Sequence, residues 1–396
     1  MTTGKACLVD PRPLLRFDFG PLHPFKVHRL GLVIGLMQAT GLLDREDVYV
    51  IEPREATTDE ARAFHSDGYL EVLRVADDGM WVPNLFAHGL GTADNPVFPG
   101  VYEWAMTVAG GSIRAAEEII AGRARVSFSP AGGLHHAMAT RASGFCHVND
   151  AVLGIHTLLA AGKRVAYIDI DAHHGDGVQQ AFYDRDDVLT ISIHQSGHTI
   201  FPGTGYSDEA GTGAGEGFAV NIPLLPGAGD AAYEHCLEQI VLPALREYRP
   251  DVLVTQLGAD ALDGDLVASL AMSLPGFEAI VRRFSALELP WVALGGGGYS
   301  VANVVRAWVL AWAVMTDAQL GDAIPESWLT EAATYGVAIS SLRGSPSAKS
   351  KDTAQRVMIS LDREIDQIRD RVFPLLRASS AEGFQPNRDE PTAEQP

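Results

Sequence analysis

The sequence predicts an α/β protein built on a mostly parallel sheet. Short apolar runs rich in β-branched residues, such as residues 165–170, are typical of strands buried on both faces. These runs alternate with longer helical patterns, which favours parallel strand pairing. The composition agrees, because 46% of the 396 residues are hydrophobic and 40 are glycine, as expected for a folded, loop-rich α/β protein.

Strands are predicted wherever a short apolar run ends at a loop or a polar cluster. Most of these runs contain Val or Ile, which fit a buried pleated sheet. The predicted strands are residues 5–10, 48–52, 125–129, 165–170, 188–193, 218–222, 251–256 and 291–294.

Helices are predicted between the strands from their apolar spacing. Thr57 and Glu60 have the spacing of a capping box, which marks the start of a short helix. In the segment 102–120, the alanine and glycines at 109–111 would let a helix approach the sheet closely. The other predicted helices are residues 25–43, 151–161, 178–183, 231–248 and 352–375, and a helix that contains Trp308 and Trp312.

Two long segments, residues 76–100 and 195–217, are glycine-rich and show little periodicity. Loops of this length are usually functional or mobile. We expect one catalytic domain over residues 1–377, since large α/β folds often occupy such a length as one unit. The polar, proline-bearing residues 378–396 predict a disordered tail.

The charge balance and the cysteines restrict partners and location. A net charge of −20, from 30 Lys and Arg against 50 Asp and Glu, disfavours direct binding of nucleic acid. Cys7, Cys146 and Cys236 are too few and too scattered for a disulfide framework, so we expect a cytoplasmic location. No signal pattern and no apolar run of roughly 18 to 20 residues is present, so no membrane partner is expected. The oligomeric state is left open.

The segment RVAYIDIDAHHGDG, residues 164–177, is the densest cluster of polar chemistry in the chain. Asp169, Asp171, His173 and Asp176 crowd the carboxyl end of a predicted strand, where open α/β sheets bind ligands. Asp171 and His173 are two positions apart, so on an extended backbone both project to one side and can share a metal. The alternative is a solvated loop in which Asp176 caps the next helix.

Three other predicted strands also end in polar groups. His135 and His136 follow the strand at 125–129, while Asp260 and Tyr299 follow two later strands. Because the carboxyl ends of parallel strands meet at one edge of a sheet, we expect a single site there. Adjacent histidines point to different sides of an extended segment, so each needs its own acidic partner. The candidate partners are Asp169 and Asp176.

These residue types suit metal-dependent hydrolysis. Asp171, His173 and Asp260 offer three mixed N and O donors and leave a position open for water. Zn²⁺ fits such a set, and so does Fe²⁺. A metal of this kind lowers the pKa of its water from 15.7 towards about 7. His135 and His136 would supply the general base and the general acid, since imidazole titrates near working pH.

Six ordered motifs resemble those of the zinc-dependent histone deacetylases. They are GGLHHA at 132–137, GFCHVND at 144–150, DIDAHHGDG at 169–177, FPGTG at 201–205, GAD at 258–260 and GGGGY at 295–299. The resemblance covers roughly residues 5–316, and more narrowly the chain looks like bacterial acetoin-utilization deacetylases. It implies an arginase-deacetylase fold with a central, mostly parallel eight-stranded sheet. It also implies hydrolysis of acetyl-lysine, in acetylated proteins or peptides, to lysine and acetate.

The resemblance also implies a role for each matching residue. The zinc ligands would be Asp171, His173 and Asp260. The catalytic groups would be His135 with Asp169, His136 with Asp176 as the favoured general base and acid, and Tyr299 as the oxyanion donor. The acyl-lysine channel would be formed by Gly144, Phe145 and Phe201, with Asp94 at its rim. A K⁺ or Na⁺ site near the metal would use Asp169, Asp171, His173, Ser192 and Ile193, and a more distant one would include Phe182 and Val188.

Some positions depart from the family pattern, and other functions stay open. His147 stands where tyrosine is frequent and Leu266 where proline is common, so we expect the rim near Asp260 to differ. No long insertion that would narrow the entrance is evident, which favours peptides but leaves small acetylated amines such as polyamines as an alternative. A two-manganese ureohydrolase would favour acids at the positions of Gly175 and Gly258. A non-catalytic acyl-lysine binding protein would be expected to have lost site residues, and none is missing.

Overall fold

The computed structural model describes residues 5–344 and 351–382 of the chain. Its strands lie close to the predicted positions. In chain order they are β1 (Ala6–Val9), β2 (Val48–Ile51), β3 (Val126–Ser129), β4 (Val165–Asp169), β5 (Val188–Gln195), β6 (Ala219–Leu224), β7 (Val252–Gln256) and β8 (Trp291–Leu294).

All eight strands form one sheet, in the order β2-β1-β3-β8-β7-β4-β5-β6. Every neighbouring pair is parallel. The prediction of an α/β fold around a parallel sheet is therefore confirmed. The four strands that carry the predicted site residues, β3, β8, β7 and β4, are consecutive neighbours, so their carboxyl ends lie side by side.

The helices cover both faces of this sheet. They are α1 (His28–Ala39), α2 (Thr58–Ala61), α3 (Asp67–Asp77), α4 (Val101–Ile120), α5 (Asp150–Ala160), α6 (Asp176–Phe182), α7 (Asp230–Cys236), α8 (Leu242–Tyr248), α9 (Leu274–Ser285), α10 (Val301–Met315), α11 (Glu326–Thr334) and α12 (Lys351–Glu382). Apolar side chains form two buried clusters around the sheet. Strand β5 is buried along its whole length.

Local signals in the sequence explain several helix positions. The capping box of Thr57 and Glu60 is present at the start of α2. In α4, a Cβ at Gly111 would lie 3.4 Å from Val9 and from Ser129, so this helix does approach the sheet closely. A Cβ at Gly110 would lie 1.9 Å from the carbonyl oxygen of Arg54, so only glycine fits there.

Other parts differ from the prediction. The helix predicted over 231–248 is interrupted by a π turn, Leu237–Val241, between α7 and α8. Helices α3, α9 and α11 were not predicted at all. The signals for α9 were present, since Ser273 caps it by accepting from the Gly276 N–H at 3.0 Å, and its buried residues follow helical spacing.

Helix α12 packs along β6, the strand at one edge of the sheet. Leu361, Ile368 and Leu376 are buried on its inner face. Covering an edge strand in this way shields its unpaired row of backbone groups, which would otherwise invite association with another chain. The helix runs to Glu382, whereas a disordered tail was predicted from Ala378; residues 383–396 lie outside the described residues. The proposed single catalytic domain over 1–377 stays a prediction.

Within the described residues, we find no helix that combines the length and the apolar character needed to span a membrane.

Candidate active site

The carboxyl ends of β3, β4, β7 and β8 bring the predicted metal-binding side chains together. His173 Nδ1 lies 3.1 Å from Asp171 Oδ1 and 3.1 Å from Asp260 Oδ2. All three side chains are buried, and their nearest ligand atoms lie within 4.8 Å of one another. Two donors bonded at 2.0–2.1 Å to one tetrahedral ion stand about 3.3 Å apart. The three donors therefore fit a single ion.

In both aspartates, hydrogen bonds hold the carboxylate oxygen that does not face His173. Asp171 Oδ2 accepts from Gln256 Nε2 at 2.7 Å and from the Gly297 N–H at 2.9 Å. Asp260 Oδ1 accepts from a backbone N–H of the loop after β4 at 2.8 Å. The remaining oxygens face His173. Such outer contacts orient ligands and commonly contribute 10–100-fold in metal affinity.

The electrostatics of the three groups also favour a cation. Burial lowers the pKa of His173, but its contacts with both carboxylates raise it to about 10 overall. Burial and the neighbouring Asp171 raise the pKa of Asp260 to about 7. Two carboxylates this close, away from water, need positive charge between them. Either a proton on His173 or a bound dication supplies it.

Glycines leave the space that the site needs. A Cβ at Gly258 would lie 2.2 Å from Asp171 Oδ2, and one at Gly297 would lie 2.1 Å from Asp260 Oδ2. A Cβ at Gly175 would lie 2.6 Å from Asp169 Oδ2. The two positions at which a two-manganese enzyme would favour acids therefore have no room for a side chain. In residues 5–344 and 351–382, no second group of three such ligands occurs.

The paired histidines each have their own acid, as the alternation of side chains required. His135 Nδ1–H donates to Asp169 Oδ2 at 2.7 Å, and His136 Nδ1–H donates to Asp176 Oδ1 at 2.7 Å. The two Nε2 atoms face each other at 3.0 Å. Asp176 lies in the first turn of α6, whose N-cap is Gly175, so the alternative in which Asp176 caps that helix is wrong.

The two imidazoles differ in their pKa. Burial lowers the pKa of His135, but Asp169 and Asp171 raise it to about 9 overall. Burial and the adjacent positive His135 lower the pKa of His136, and Asp176 only partly opposes them. His136 is thus the imidazole that stays neutral and can accept a proton.

Tyr299 lines the same pocket, and hydrogen bonds from its backbone hold it in place. Asp265 Oδ2 accepts from the Tyr299 N–H at 2.8 Å and from the Ser300 N–H at 3.2 Å. Burial, followed by the nearby Asp260, raises the pKa of the Tyr299 hydroxyl well above its ordinary value of 10. The hydroxyl therefore stays protonated and can donate.

The predicted channel residues form the walls above this pocket. The Phe145 ring lies 5.5 Å from Tyr299, and the Phe201 ring lies 5.0 Å from His136. Gly144 has a φ of +51°, and a Cβ there would lie 2.5 Å from His136 and 2.8 Å from Phe201. Only glycine keeps this passage open.

At the floor, a space of about 10 Å³ is lined by residues that include His135, Asp171 and Tyr299. That volume is about what one water molecule requires. A small reactant beside the metal-binding group would therefore be held between the imidazoles and the tyrosine.

The rim residues are less closely tied to the pocket. Asp94 is exposed, and its backbone oxygen accepts from His23 Nε2 at 3.1 Å. The His23 ring in turn lies 4.6 Å from Phe145, which connects the Asp94 loop to the channel wall. His147 is buried, and its Nε2 lies 3.1 Å from the backbone oxygen of Pro96, two positions from Asp94. Leu266, at 74% exposure, does lie on the surface.

Three of the five predicted monovalent-cation ligands, Asp169, Ser192 and Ile193, lie on the adjacent strands β4 and β5, and the other two lie in the loop after β4. Asp169 and Ser192 are direct partners in the register of β4 and β5. Asp169 is already engaged by His135 and by the Tyr167 hydroxyl at 2.7 Å, and Ser192 Oγ lies 2.8 Å from His194 Nδ1. The side chains of Phe182 and Val188, assigned to a more distant site, are buried in the core. Both cation sites stay predictions.

Sequence reasoning missed several residues that position the site, and Asp150 and Arg29 are two of them. Asp150 is buried and accepts from Ser112 Oγ at 2.6 Å and from the Gly133 and Leu134 N–H groups at 2.8 and 2.7 Å, which fixes the loop before His135. The sequence signal that could have identified Asp150 was its position beside Asn149 at the start of a helix.

The second missed residue is Arg29, which is 1% exposed on α1. Its guanidinium donates to the Gly298 oxygen at 2.6 Å and to the Gly296 oxygen at 2.8 Å, and it lies 4.2 Å from the Phe25 ring. Burial lowers its pKa to about 10. Arg29 thus holds the glycine loop that precedes Tyr299; a single arginine within an apolar helix was the signal.

Comparison with protein-family models matches residues 23–315 to the histone deacetylase domain. Histone deacetylase clr6 of Schizosaccharomyces pombe is 40% identical over 312 residues, which cover 78% of this chain and 76% of that protein. Histone deacetylase RPD3 of Saccharomyces cerevisiae is 39% identical over 311 residues, covering 78% and 71%. Histone deacetylase 1 of Homo sapiens is 37% identical over 327 residues, covering 82% and 67%.

A solved structure described as an HDAC homolog complexed with SAHA has a similar fold. It superimposes with a TM-score of 0.83 at 29% sequence identity, covering 92% of this chain and 99% of that one. The relatives named above are eukaryotic, so the narrower resemblance to bacterial acetoin-utilization deacetylases stays a prediction.

Proposed function

The chain belongs to the histone deacetylase family, and from this premise we propose that it is a metal-dependent lysine deacetylase. The reaction is hydrolysis of the acetyl amide on the lysine side chain of a protein or peptide, which gives lysine and acetate. The supporting observation is that one pocket is lined by two acid-paired histidines, by Tyr299 and by Asp171, which belongs to the group of three metal-type donors.

Asp171, His173 and Asp260 would hold Zn²⁺ or, as an alternative, Fe²⁺, because mixed carboxylate and imidazole ligands suit both ions. When bound, the ion supplies Lewis-acid polarisation of the acetyl carbonyl and makes water more acidic. We also propose a K⁺ or Na⁺ ion near the pocket. Its ligands would come from Asp169, Asp171, His173, Ser192 and Ile193.

The channel would bind the acetyl-lysine side chain through apolar contacts along its methylene groups. The methylene groups would lie between Phe145 and Phe201, while Gly144 leaves the passage wide enough for them. Aromatic walls on both sides exclude water, which strengthens the electrostatic interactions inside. Asp94, beside the wall formed by Phe145, would hold the backbone of the substrate.

The proton transfers would run through His136. Its neutral Nε2 accepts a proton from the attacking water as the water oxygen bonds to the acetyl carbon, while Asp176 stabilises the imidazolium. Tyr299 donates to the acetyl oxygen as negative charge develops there. When the carbon–nitrogen bond breaks, His136 returns the proton to the lysine nitrogen. His135, held by Asp169, lies beside His136 in the same pocket.

The direct test is release of acetate by the zinc-loaded protein. We expect turnover of acetyl-lysine peptides that stops when a chelator removes the metal and resumes when zinc is restored. Faster hydrolysis of acetylated polyamines than of peptides would favour the small-amine alternative. Absence of acetate release from every acyl-lysine peptide, with metal shown to be bound, would favour the non-catalytic binding protein.

Gly297→Ala is expected to weaken zinc binding by 10-fold or more. The added methyl group would collide with Asp260 Oδ2 at 2.1 Å and with Asp171 Oδ2 at 2.7 Å, which displaces both ligands. The matched control is Gly68→Ala, because no atom lies within 4 Å of a Cβ at that position. Titration with a chromophoric zinc chelator measures the zinc affinity of both variants. Equal zinc affinity in the two variants would contradict the assigned ligands.

The cytoplasmic location and the acetoin-utilization branch stay predictions from the sequence.

A further inference from the structure

A second cavity, of about 700 Å³, opens beside the acyl-lysine channel. We call it the side groove; its apolar walls are Met138, Tyr183, Phe201 and Pro202. Phe201 belongs to both spaces, since its ring faces His136 in the channel and 45% of its surface is exposed. The volume lies within the range of about 300–1,000 Å³ that is typical of ligand pockets.

Two of the acids that line the side groove, Glu209 and Asp176, are already bonded to the protein, while the two other charged lining residues, Arg141 and Asp184, are exposed at its edge. Glu209 accepts from the Gly205 N–H at 2.9 Å and from Gln179 Nε2 at 2.8 Å. Asp176 accepts from His136. These carboxylates would lose good hydrogen bonds if they turned to a cationic ligand. Apolar contact is therefore the interaction that the interior of the side groove offers most readily.

The walls of the side groove are fixed before any ligand binds. Thr204 Oγ1 lies 2.9 Å from His174 Nδ1, and the Thr212 N–H donates to the Tyr183 carbonyl oxygen at 2.9 Å. The Met138 N–H donates to the Arg141 oxygen at 2.9 Å. A preformed groove saves the ordering cost that a flexible surface would incur on binding.

We propose that the side groove binds an apolar side chain that neighbours the acetyl-lysine in a peptide substrate. The inference rests on the proposed function, because the acetyl-lysine in the channel is what brings its neighbours to this position. Successive Cα atoms of a peptide are 3.80 Å apart, so a residue one or two positions away lies within about 8 Å of the lysine Cα. Because Phe201 forms part of both the channel wall and the side groove, the two spaces adjoin each other.

The test compares peptides that differ only at one position next to acetyl-lysine. With tryptophan or leucine there, we expect kcat/KM on the order of five- to tenfold above the value with alanine. Met138→Asp places a charge on the apolar wall, and Gln180→Trp fills the side groove from an exposed position of α6. Either change should reduce the ratio of kcat/KM for the tryptophan or leucine peptide to kcat/KM for the alanine peptide to about one.

The control variant is Thr140→Asp, which adds the same charge at an exposed position that does not line the side groove. It should keep the preference for tryptophan. Turnover of acetyl-lysine methylamide, which has no neighbouring residue, should stay within about twofold in all three variants. A ratio near one in the parent protein, or a preference for lysine and arginine at the neighbouring position, would overturn the inference.

Failure of the proposed function gives a different result. If no acetyl-lysine compound is hydrolysed, the affinity of the same peptides, labelled with a fluorophore, is measured by fluorescence polarisation. Tighter binding of the tryptophan peptide that is lost in Met138→Asp would support the side groove while refuting the deacetylase. Equal affinity for all peptides would overturn both.

Discussion

Tyr299→Phe is expected to lower kcat for acetyl-lysine hydrolysis by about 10²–10³-fold, the usual effect of removing one oxyanion donor. The substitution deletes only the hydroxyl, since Asp265 holds the residue through its backbone N–H. The Phe145 contact and the zinc content should be preserved. Steady-state kinetics with an acetyl-lysine peptide, together with metal analysis of the same sample, measures the effect.

The control for this variant is Tyr248→Phe. Tyr248 is also a buried tyrosine, but it lies on α8 against Phe218, with the ring centroids 5.8 Å apart. We expect its turnover to be close to that of the parent protein. A Tyr299→Phe variant with normal kcat would show that another group stabilises the developing oxyanion.

His136→Ala and Asp171→Ala are expected to lose activity for different reasons. His136→Ala removes the neutral imidazole that accepts the proton, so turnover should fall by about 10²–10⁴-fold while zinc remains bound. Asp171→Ala removes a ligand and leaves Gln256 and the Gly297 N–H without their acceptor, so zinc should be lost first. Zinc content and acetate release, measured on both purified variants, distinguish the two roles.

Restoring zinc at high concentration adds a second comparison for this pair. Asp171→Ala should regain part of its activity as zinc is raised, whereas His136→Ala should not respond. Equal loss of zinc from both variants would mean that His136 acts on the metal, and the division between ligand and base would be wrong.

The sequence was sufficient to predict most of the strands and the residues of the pocket. The candidate metal ligands, the paired histidines and Tyr299 follow strand ends, and each lies within a short motif, so the local sequence is enough to identify them. Their meeting at one point depends on the strand order, in which β3, β8, β7 and β4 are neighbours although they are far apart in the chain. The order of the strands along the chain does not predict which strands are neighbours in the sheet. Crossover connections through helices allow strands that are distant in the sequence to pair in parallel.

The missed residues act over long separations in the sequence. Arg29 and Gly298 are 269 positions apart, and nothing near Arg29 indicates what its guanidinium will bind. Asp265 likewise supports Tyr299 through a hydrogen bond from the backbone. In that loop, the sequence analysis singled out the neighbouring Leu266 and not Asp265. Such supporting contacts depend on how distant loops pack, which periodicity and short motifs do not describe.

The account depends most on one ion held by Asp171, His173 and Asp260. Its most direct test is a crystal structure of the zinc-loaded protein with anomalous data collected on both sides of the zinc absorption edge. We predict one zinc peak per chain, within bonding distance of His173 Nδ1 and one oxygen from each aspartate. Two ions at this site, or a single ion bound elsewhere, would contradict the account.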